Sequence, residues 1–235
     1  TTFRSDGSSK FAPGHQWGFF PSFSLGWNVH NEKFMNPFIS SGFLSNLKLR
    51  GSWGKIGNEN VGPYLWQEIV NMWGWTMRVP NPDFSWEKQN QWNIGFDLGL
   101  LKNKLAFTAD IYKKHSYDLI YSDFPVPPLT GSYYLTSSVN IGEVDNKGWE
   151  ISAKWSDKIG DFSYSIGGML FDNKNKIMKA GYNPNDTLIF KGTSDKIWYR
   201  GIPIDNYYGF ETNGYFKDKA EIEATQAKFP NTLPG

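Results

Sequence analysis

Cysteine is absent from all 235 residues. That removes disulfides and thiolate chemistry together; it suits an oxidising compartment without requiring one. No run of about 18 apolar residues occurs, so neither a transmembrane helix nor a secretory h-region is expected in these residues. No charge sign dominates: 24 Lys and Arg stand against 23 Asp and Glu, a net charge of +1. The basic residues are scattered, which leaves no field for nucleic acid. Histidine is scarce. His15, His30 and His115 lie far apart without HxxxH or HxH spacing, so rim or surface roles are expected of them and no metal centre. There is no Asp-x-Asp-x-Asp-Gly calcium loop, no P-loop spacing and no Gly-x-Ser-x-Gly elbow. Nothing singles out a glycosidase pair among the acids. No catalytic residue, metal or cofactor is therefore expected, and the chain does not look like an enzyme.

Aromatic residues are plentiful. They make up 17% of the chain, with 11 Trp, 12 Tyr and 18 Phe, beside 24 Gly. The mean hydropathy is nevertheless negative. Two classes fit this composition: a soluble or surface-anchored β-rich glycan-binding module, and an outer-membrane barrel whose aromatics form girdles at the interfaces.

Alternation separates them. Trp92, Ile94, Phe96, Leu98 and Leu100 share one face of a strand, opposite Asn93, Gly95, Asp97 and Gly99. After a break at 102–104, Leu105, Phe107, Ala109 and Ile111 restore the apolar face, opposite Thr108, Asp110 and Tyr112. The wet face is small, glycine-rich and charged, as in a barrel with an apolar outside and a polar lumen. The pattern recurs. Six strands are expected at 17–29, 45–55, 89–101, 104–117, 146–157 and 161–173, and residues 1–4 could be the tail of a seventh. Each of the six is long enough to cross a bilayer at a tilt.

The connections alternate in length. Segments 102–104 and 156–161 are tight, whereas 57–88, 118–145 and 174–235 are long. Transmembrane barrels have this asymmetry because tight turns face the periplasm and long loops face outside. The expected fold is all-β: an antiparallel transmembrane β-barrel segment with long extracellular loops. Residues 1–173 should supply barrel strands, turns and loops, and residues 174–235 a long extracellular loop subdomain. One helical turn is expected near 31–35, and a short surface helix at 218–228 with Asp218 as N-cap. Six or seven strands cannot close a membrane barrel, so the sequence is expected to be part of a longer polypeptide.

Several segments resemble the SusC/RagA family of TonB-linked outer-membrane transporters. They include Phe20-Pro-Ser-Phe-Ser-Leu-Gly-Trp27, Leu47-Lys-Leu-Arg-Gly-Ser-Trp-Gly-Lys-Ile-Gly-Asn58, Pro82-Asp-Phe-Ser-Trp-Glu-Lys88 and Asn140-Ile-Gly-Glu-Val-Asp-Asn-Lys-Gly-Trp-Glu150. Shorter matches are Arg4-Ser-Asp-Gly-Ser-Ser-Lys-Phe11, Asn173-Lys-Asn-Lys-Ile177 and Tyr208-Gly-Phe210. Each is weak alone; together they occur in the family's order over most of the chain. The resemblance implies a 22-stranded barrel with an N-terminal plug, of which this chain is a middle-to-late stretch. It also implies a SusD-like surface lipoprotein as lid, coupling to the TonB complex through parts absent from this chain, and an oligosaccharide or peptide as cargo.

Loop aromatics are the candidate ligand contacts. Trp66, Trp73 and Trp75 lie in the first long loop, Tyr133 and Tyr134 in the second, and Trp198, Tyr199, Tyr207 and Tyr208 in the third. Such rings stack on sugars or hold peptide side chains at low entropy cost. Packing between loops, or against the lid, competes with that role. Trp27, Trp53, Trp149 and Trp155 near strand ends are expected at the headgroup level.

Overall fold

The structure, a computed structural model, describes residues 1–70, 72–74, 76–126, 135–181, 187–190, 196–204, 206–207, 209, 211 and 214–228. β1 (Thr2–Gly7) and β2 (Trp17–Asn28) are followed by a helical turn, α1 (Asn36–Ser40), and by β3 (Leu44–Asn58). Two short strands, β4 (Ile69–Val70) and β5 (Thr76–Val79), precede the hairpin of β6 (Glu87–Leu100) and β7 (Leu105–Tyr117). Short β8 (Ile120–Pro125) and β9 (Thr136–Asn140) precede a second long hairpin, β10 (Glu143–Ile159) and β11 (Phe162–Lys179). β12 (Leu188–Phe190), β13 (Lys196–Trp198), β14 (Asn206–Tyr207) and α2 (Lys219–Lys228) follow.

The long strands form one 7-stranded sheet, ordered β1-β2-β3-β6-β7-β10-β11. Every neighbour is antiparallel, and these strands are the ones that the alternation marks. The largest shift is in β11, which runs on to Lys179 instead of stopping at 173. Its extra residues pair with Glu143 to Lys147, and apart from Val144 opposite Ile177 the pairs there are polar. Apolar periodicity cannot mark a strand that has left the apolar zone.

Register carries each face across the sheet. On the apolar face Leu25, Gly51, Ile94, Ile111 and Trp149 lie in one cross-strand row, with Trp27, Leu49, Phe96, Ala109, Ile151 and Leu170 in the next. No second layer of described residues covers it. Ile94 is 56% exposed, Ile111 50% and Leu170 70%. Phe96 and Phe107 are shielded within the sheet plane, their rings 5.7 Å apart. A soluble sandwich would bury this face; lipid leaves it bare of protein. From Trp92 to Leu100 the strand rises roughly 26 Å, enough at ordinary tilt to span most of an apolar band.

The two ends differ. At one end lie the turn 101–104 and the turn Gly160-Asp161. The second is shorter than the expected 156–161, because pairing continues to Ile159 and Phe162. Gly160 has φ +61°, which suits the first central position of a type II′ hairpin turn. The first turn is costlier: Leu101, Lys102 and Asn103 all have φ between 55° and 64°, a region unfavourable for L-residues. It is anchored by Leu101 N donating to Phe43 O at 2.8 Å and Asn103 N to Ser45 Oγ at 2.9 Å. Residues 29–43 cross at this same end in two 3-10 turns, the second of them (Lys33–Met35) within the turn expected at 31–35, and in α1, which follows directly.

The buried core lies at the opposite end, among the long loops. Phe11, Ala12, Phe20, Phe84 and Trp86 form one cluster, with Val61, Leu65, Trp66 and Ile120 against it. Val144, Ile177 and Ala180 form another, covered by Leu119, Trp198, Ile202 and Ile204. Loop backbone also pairs between loops. β4, β5, β9 and β8 make a small sheet in which β5 and β9 run parallel, so the segment after β3 is stitched to the segment after β7.

Candidate functional site

The polar face is continuous across the long sheet. Arg50, Gly95, Asp110 and Glu150 lie in one row, with Lys48, Asp97, Thr108 and Ser152 beside them. Arg50 binds two carboxylates: its Nη2 donates to Asp110 Oδ2 at 2.9 Å, and its Nε lies 3.0 Å from Asp97 Oδ2. The reach from β3 to β7 passes over β6, and Gly95 is the residue it crosses. A Cβ there would stand 2.3 Å from Asp110 Oδ1. That same Oδ1 is buried without a hydrogen-bond partner among the described residues, as is Asn146 Oδ1 further along the face. Ser52, Gln91, Asn93, Tyr112 and Lys114 continue the face around a cavity of about 410 Å³. This wall offers donors and acceptors of both signs to a polar occupant and has no nucleophile–base pair.

At the long-loop end, polar side chains lock the rim. The Arg78 guanidinium bonds the Ser122 carbonyl at 2.6 Å, Asp123 at 3.1 Å and the Ser138 hydroxyl. Asn140 is bracketed twice: Ser85 N donates to its Oδ1 at 2.8 Å, and its Nδ2 donates to Ser85 O at 2.7 Å. Asn81 Nδ2 donates to Ser138 O at 2.7 Å. Burial, aided by the Asp123 charge, pushes the Tyr121 phenol up. Neither Arg78 nor Asn81 stands out in sequence, and Asn140 does so only as the first residue of a family-like segment. Their role depends on which loops meet.

Trp66 is half-buried against the Phe11 cluster, with its Nε1 buried and unpartnered among the described residues. Trp198 is half-buried against Val144, Ile177 and Ala180. Trp73 is 78% exposed and Tyr207 83%. Trp75, Tyr133, Tyr134 and Tyr208 lie outside the described residues. With Tyr199 also exposed, the described five are thus spread over two packing clusters and three exposed positions. Of the histidines, His15 lies 3.8 Å from Asp83, His30 Nδ1 meets the Leu47 backbone, and His115 Nδ1 is 2.6 Å from Asp145.

A bare apolar face, a charged polar face, tight turns at one end and interlocked loops at the other describe one wall of a transmembrane barrel. The family model described as TonB dependent receptor-like, beta-barrel, matches residues 1–226. The chain belongs to that family. TonB-dependent receptor P39 of Formosa agariphila is 33% identical over 91% of this chain and 20% of its own length. TonB-dependent receptor SusC of Bacteroides thetaiotaomicron is 32% identical over 83% of this chain and 20% of its own length. The RagAB peptide transporter aligns at TM-score 0.72 and 26% identity, over 86% of this chain and 22% of that one. In its "open-open" state the RagAB peptide importer aligns at TM-score 0.74 and 28% identity, over 83% and 21%. The chain thus spans about a fifth of the curated relatives' length.

Within the TonB-dependent receptor family the two faces and two ends take names. The apolar face meets outer-membrane lipid, and the polar face lines the lumen. Turns 101–104 and Gly160-Asp161 are periplasmic, and the small sheet with the Phe11 cluster is extracellular. The family consists of outer-membrane transporters, not enzymes.

Proposed function

We propose that this sheet is wall and external rim of a TonB-dependent importer of glycans or peptides, working with a SusD-like surface lipoprotein. The observation that carries the reading is the two-faced sheet. Its Arg50–Asp97–Asp110 network and 410 Å³ polar cavity line a lumen, while Ile94, Ile111 and Leu170 stand bare on the other side. A soluble glycan-binding module would have to cover that apolar face, so it is the weaker alternative.

The loop aromatics Trp66, Trp73, Trp75, Tyr133, Tyr134, Trp198, Tyr207 and Tyr208 are proposed as the cargo-facing set. Trp73 and Tyr207 lead because both are largely exposed. Residues 180–235, beyond the end of β11, are proposed to contribute to the lid interface. Their apolar groups exceed what a solvated loop carries, and α2 is capped by Glu221 N donating to Asp218 Oδ1 at 2.9 Å.

The test compares cells carrying and lacking the complete gene for uptake of labelled oligosaccharides and labelled oligopeptides. Loss of one class on deletion supports the reading and names the cargo; unchanged uptake of both refutes it. Deleting 212–230 should weaken capture of the lid protein while the barrel still assembles. Failed assembly, or unchanged capture, would make the segment a structural element instead.

A further inference from the structure

We propose that the lipid-facing side of this wall carries a binding site for the phosphate groups of an outer-leaflet glycolipid, separate from the import path. Register places Lys113, Lys147 and Lys174 directly opposite one another on three successive strands. All three point outward, since each lies two residues beyond an outward-facing position: Ile111, Trp149 and Asp172. Like charges directly opposite in a sheet repel, and nearby acids compensate only in part. Lys113 Nζ meets Asp145 at 2.8 Å, but that carboxylate is shared with His115 at 2.6 Å. Lys174 lies 3.6 Å from Asp172, with the Lys174 side chain 75% exposed. Lys147 has no acidic partner within ion-pair distance among the described residues. The row carries surplus positive charge.

The position selects the ligand. The same cross-strand row runs through Phe23, Trp53 and Trp92 before reaching the lysines. Outward Trp53 and Trp92 mark the headgroup level. Strand tilt carries the row toward the long-loop end as it crosses the sheet, so the lysines stand on the extracellular side of that level. Trp92, Ile111 and Trp149 floor a cavity of about 350 Å³ whose walls carry three lysines, Lys113, Lys147 and Lys174, against one carboxylate, Asp172. Below it run Ile94, Ile151 and Leu170, where acyl chains would lie. A ligand that fits has phosphates at lysine height and hydrocarbon beneath. Lipid of the outer leaflet bearing phosphorylated sugars has both; a free phosphate has only the first. Imported solutes are excluded because this face lies outside the barrel.

The test uses the complete transporter in detergent, with lipid binding read by native mass spectrometry. The probes are bisphosphorylated lipid A, the same lipid with its phosphates removed, and inorganic phosphate. Wild-type protein should retain bisphosphorylated lipid A on the order of 100-fold more tightly than the K113Q/K147Q/K174Q variant, given what each lysine contributes near an anionic surface. The dephosphorylated lipid should bind both proteins equally and weakly, and millimolar phosphate should not displace the lipid. The K113R/K147R/K174R variant should bind like wild type, which separates charge from fold. Equal binding of bisphosphorylated lipid A to wild type and the Gln variant overturns the proposal. So does equal binding of the two lipids to wild type, or displacement by phosphate alone. Uptake failure and lipid-binding failure are read in different assays, so the importer reading and this one can fail separately.

Discussion

Replacing Gly95 by alanine should unlock the lumen wall. The new Cβ would meet Asp110 Oδ1 at 2.3 Å, Asp110 Cγ at 2.8 Å and the Ala109 carbonyl at 2.9 Å. The side chain must yield first, since a paired strand moves less readily than a carboxylate. Moving Asp110 breaks its 2.9 Å bond with Arg50. Hydrogen bonds to charged groups contribute about 1.5–3 kcal/mol. Arg50 is 33% exposed and Asp110 17%, so water recovers part of the loss. Against this, alanine suits a strand better than glycine by about 0.5–1 kcal/mol. The balance is a loss of about 1–2 kcal/mol, read as urea unfolding of the complete barrel in lipid vesicles. A cycle isolates the cause: in an Asp110→Ala background the carboxylate clash is gone, so Gly95→Ala should cost at least 1 kcal/mol less there. Gly51→Ala is the control, because a Cβ at Gly51 meets nothing within 4 Å; it should be neutral or slightly stabilising. Additive effects of Gly95→Ala and Asp110→Ala, or a Gly51→Ala loss equal to that of Gly95→Ala, would refute the argument.

Facing can be tested with arginine. Ile94→Arg, in lipid, should cost about 2–4 kcal/mol, and Asn93→Arg, one residue away on the lumen face, far less; equal costs in the same unfolding assay would contradict the assigned faces. In the periplasmic turn, Lys102→Gly should stabilise by roughly 1 kcal/mol, since glycine adopts φ near 57° without the penalty that lysine carries. A destabilised variant would mean the Lys102 side chain holds the turn. Protease added to intact cells should cut only in the long extracellular segments; cleavage at Lys102 or Lys104 with the outer membrane intact would invert the orientation.

The sheet was legible because its information is local. Alternation of Trp92 to Leu100 against Asn93 to Gly99 states both the strand and its two environments, and the Lys102-Asn103 break states the turn. The rim was not legible, because its information is pairwise over long separations. Arg78 is an unremarkable loop residue until β5 meets β9, and no pattern within either loop announces a parallel pairing. The same limit applies to the loop tryptophans. Trp66 and Trp73 look alike in sequence, yet the first packs against the Phe11 cluster while the second stands 78% exposed.

The network at Gly95 lies between these cases and shows what separates them. Alternation alone puts Arg50, Asp97 and Asp110 on the wet face, but it does not say that they touch. Contact requires the registers Arg50↔Gly95 and Gly95↔Asp110 together. Those registers are fixed by the three strands' apolar faces, since a one-residue slip of any one strand would turn its own apolar set, Leu49, Ile94 or Ile111, into the lumen and its polar set into lipid. The lipid face therefore specifies the lumen chemistry. Burial in hydrocarbon sets the register, the register sets which polar groups meet, and glycine at the crossing point lets them meet across an intervening strand. The lysine row depends on the next two registers along the sheet, Lys113↔Lys147 and Lys147↔Lys174, and shares β7 with the network. A change that slips β7 against both of its neighbours, β6 and β10, should disturb Arg50–Asp110 and Lys113–Lys147 together, although one pair faces the lumen and the other the membrane.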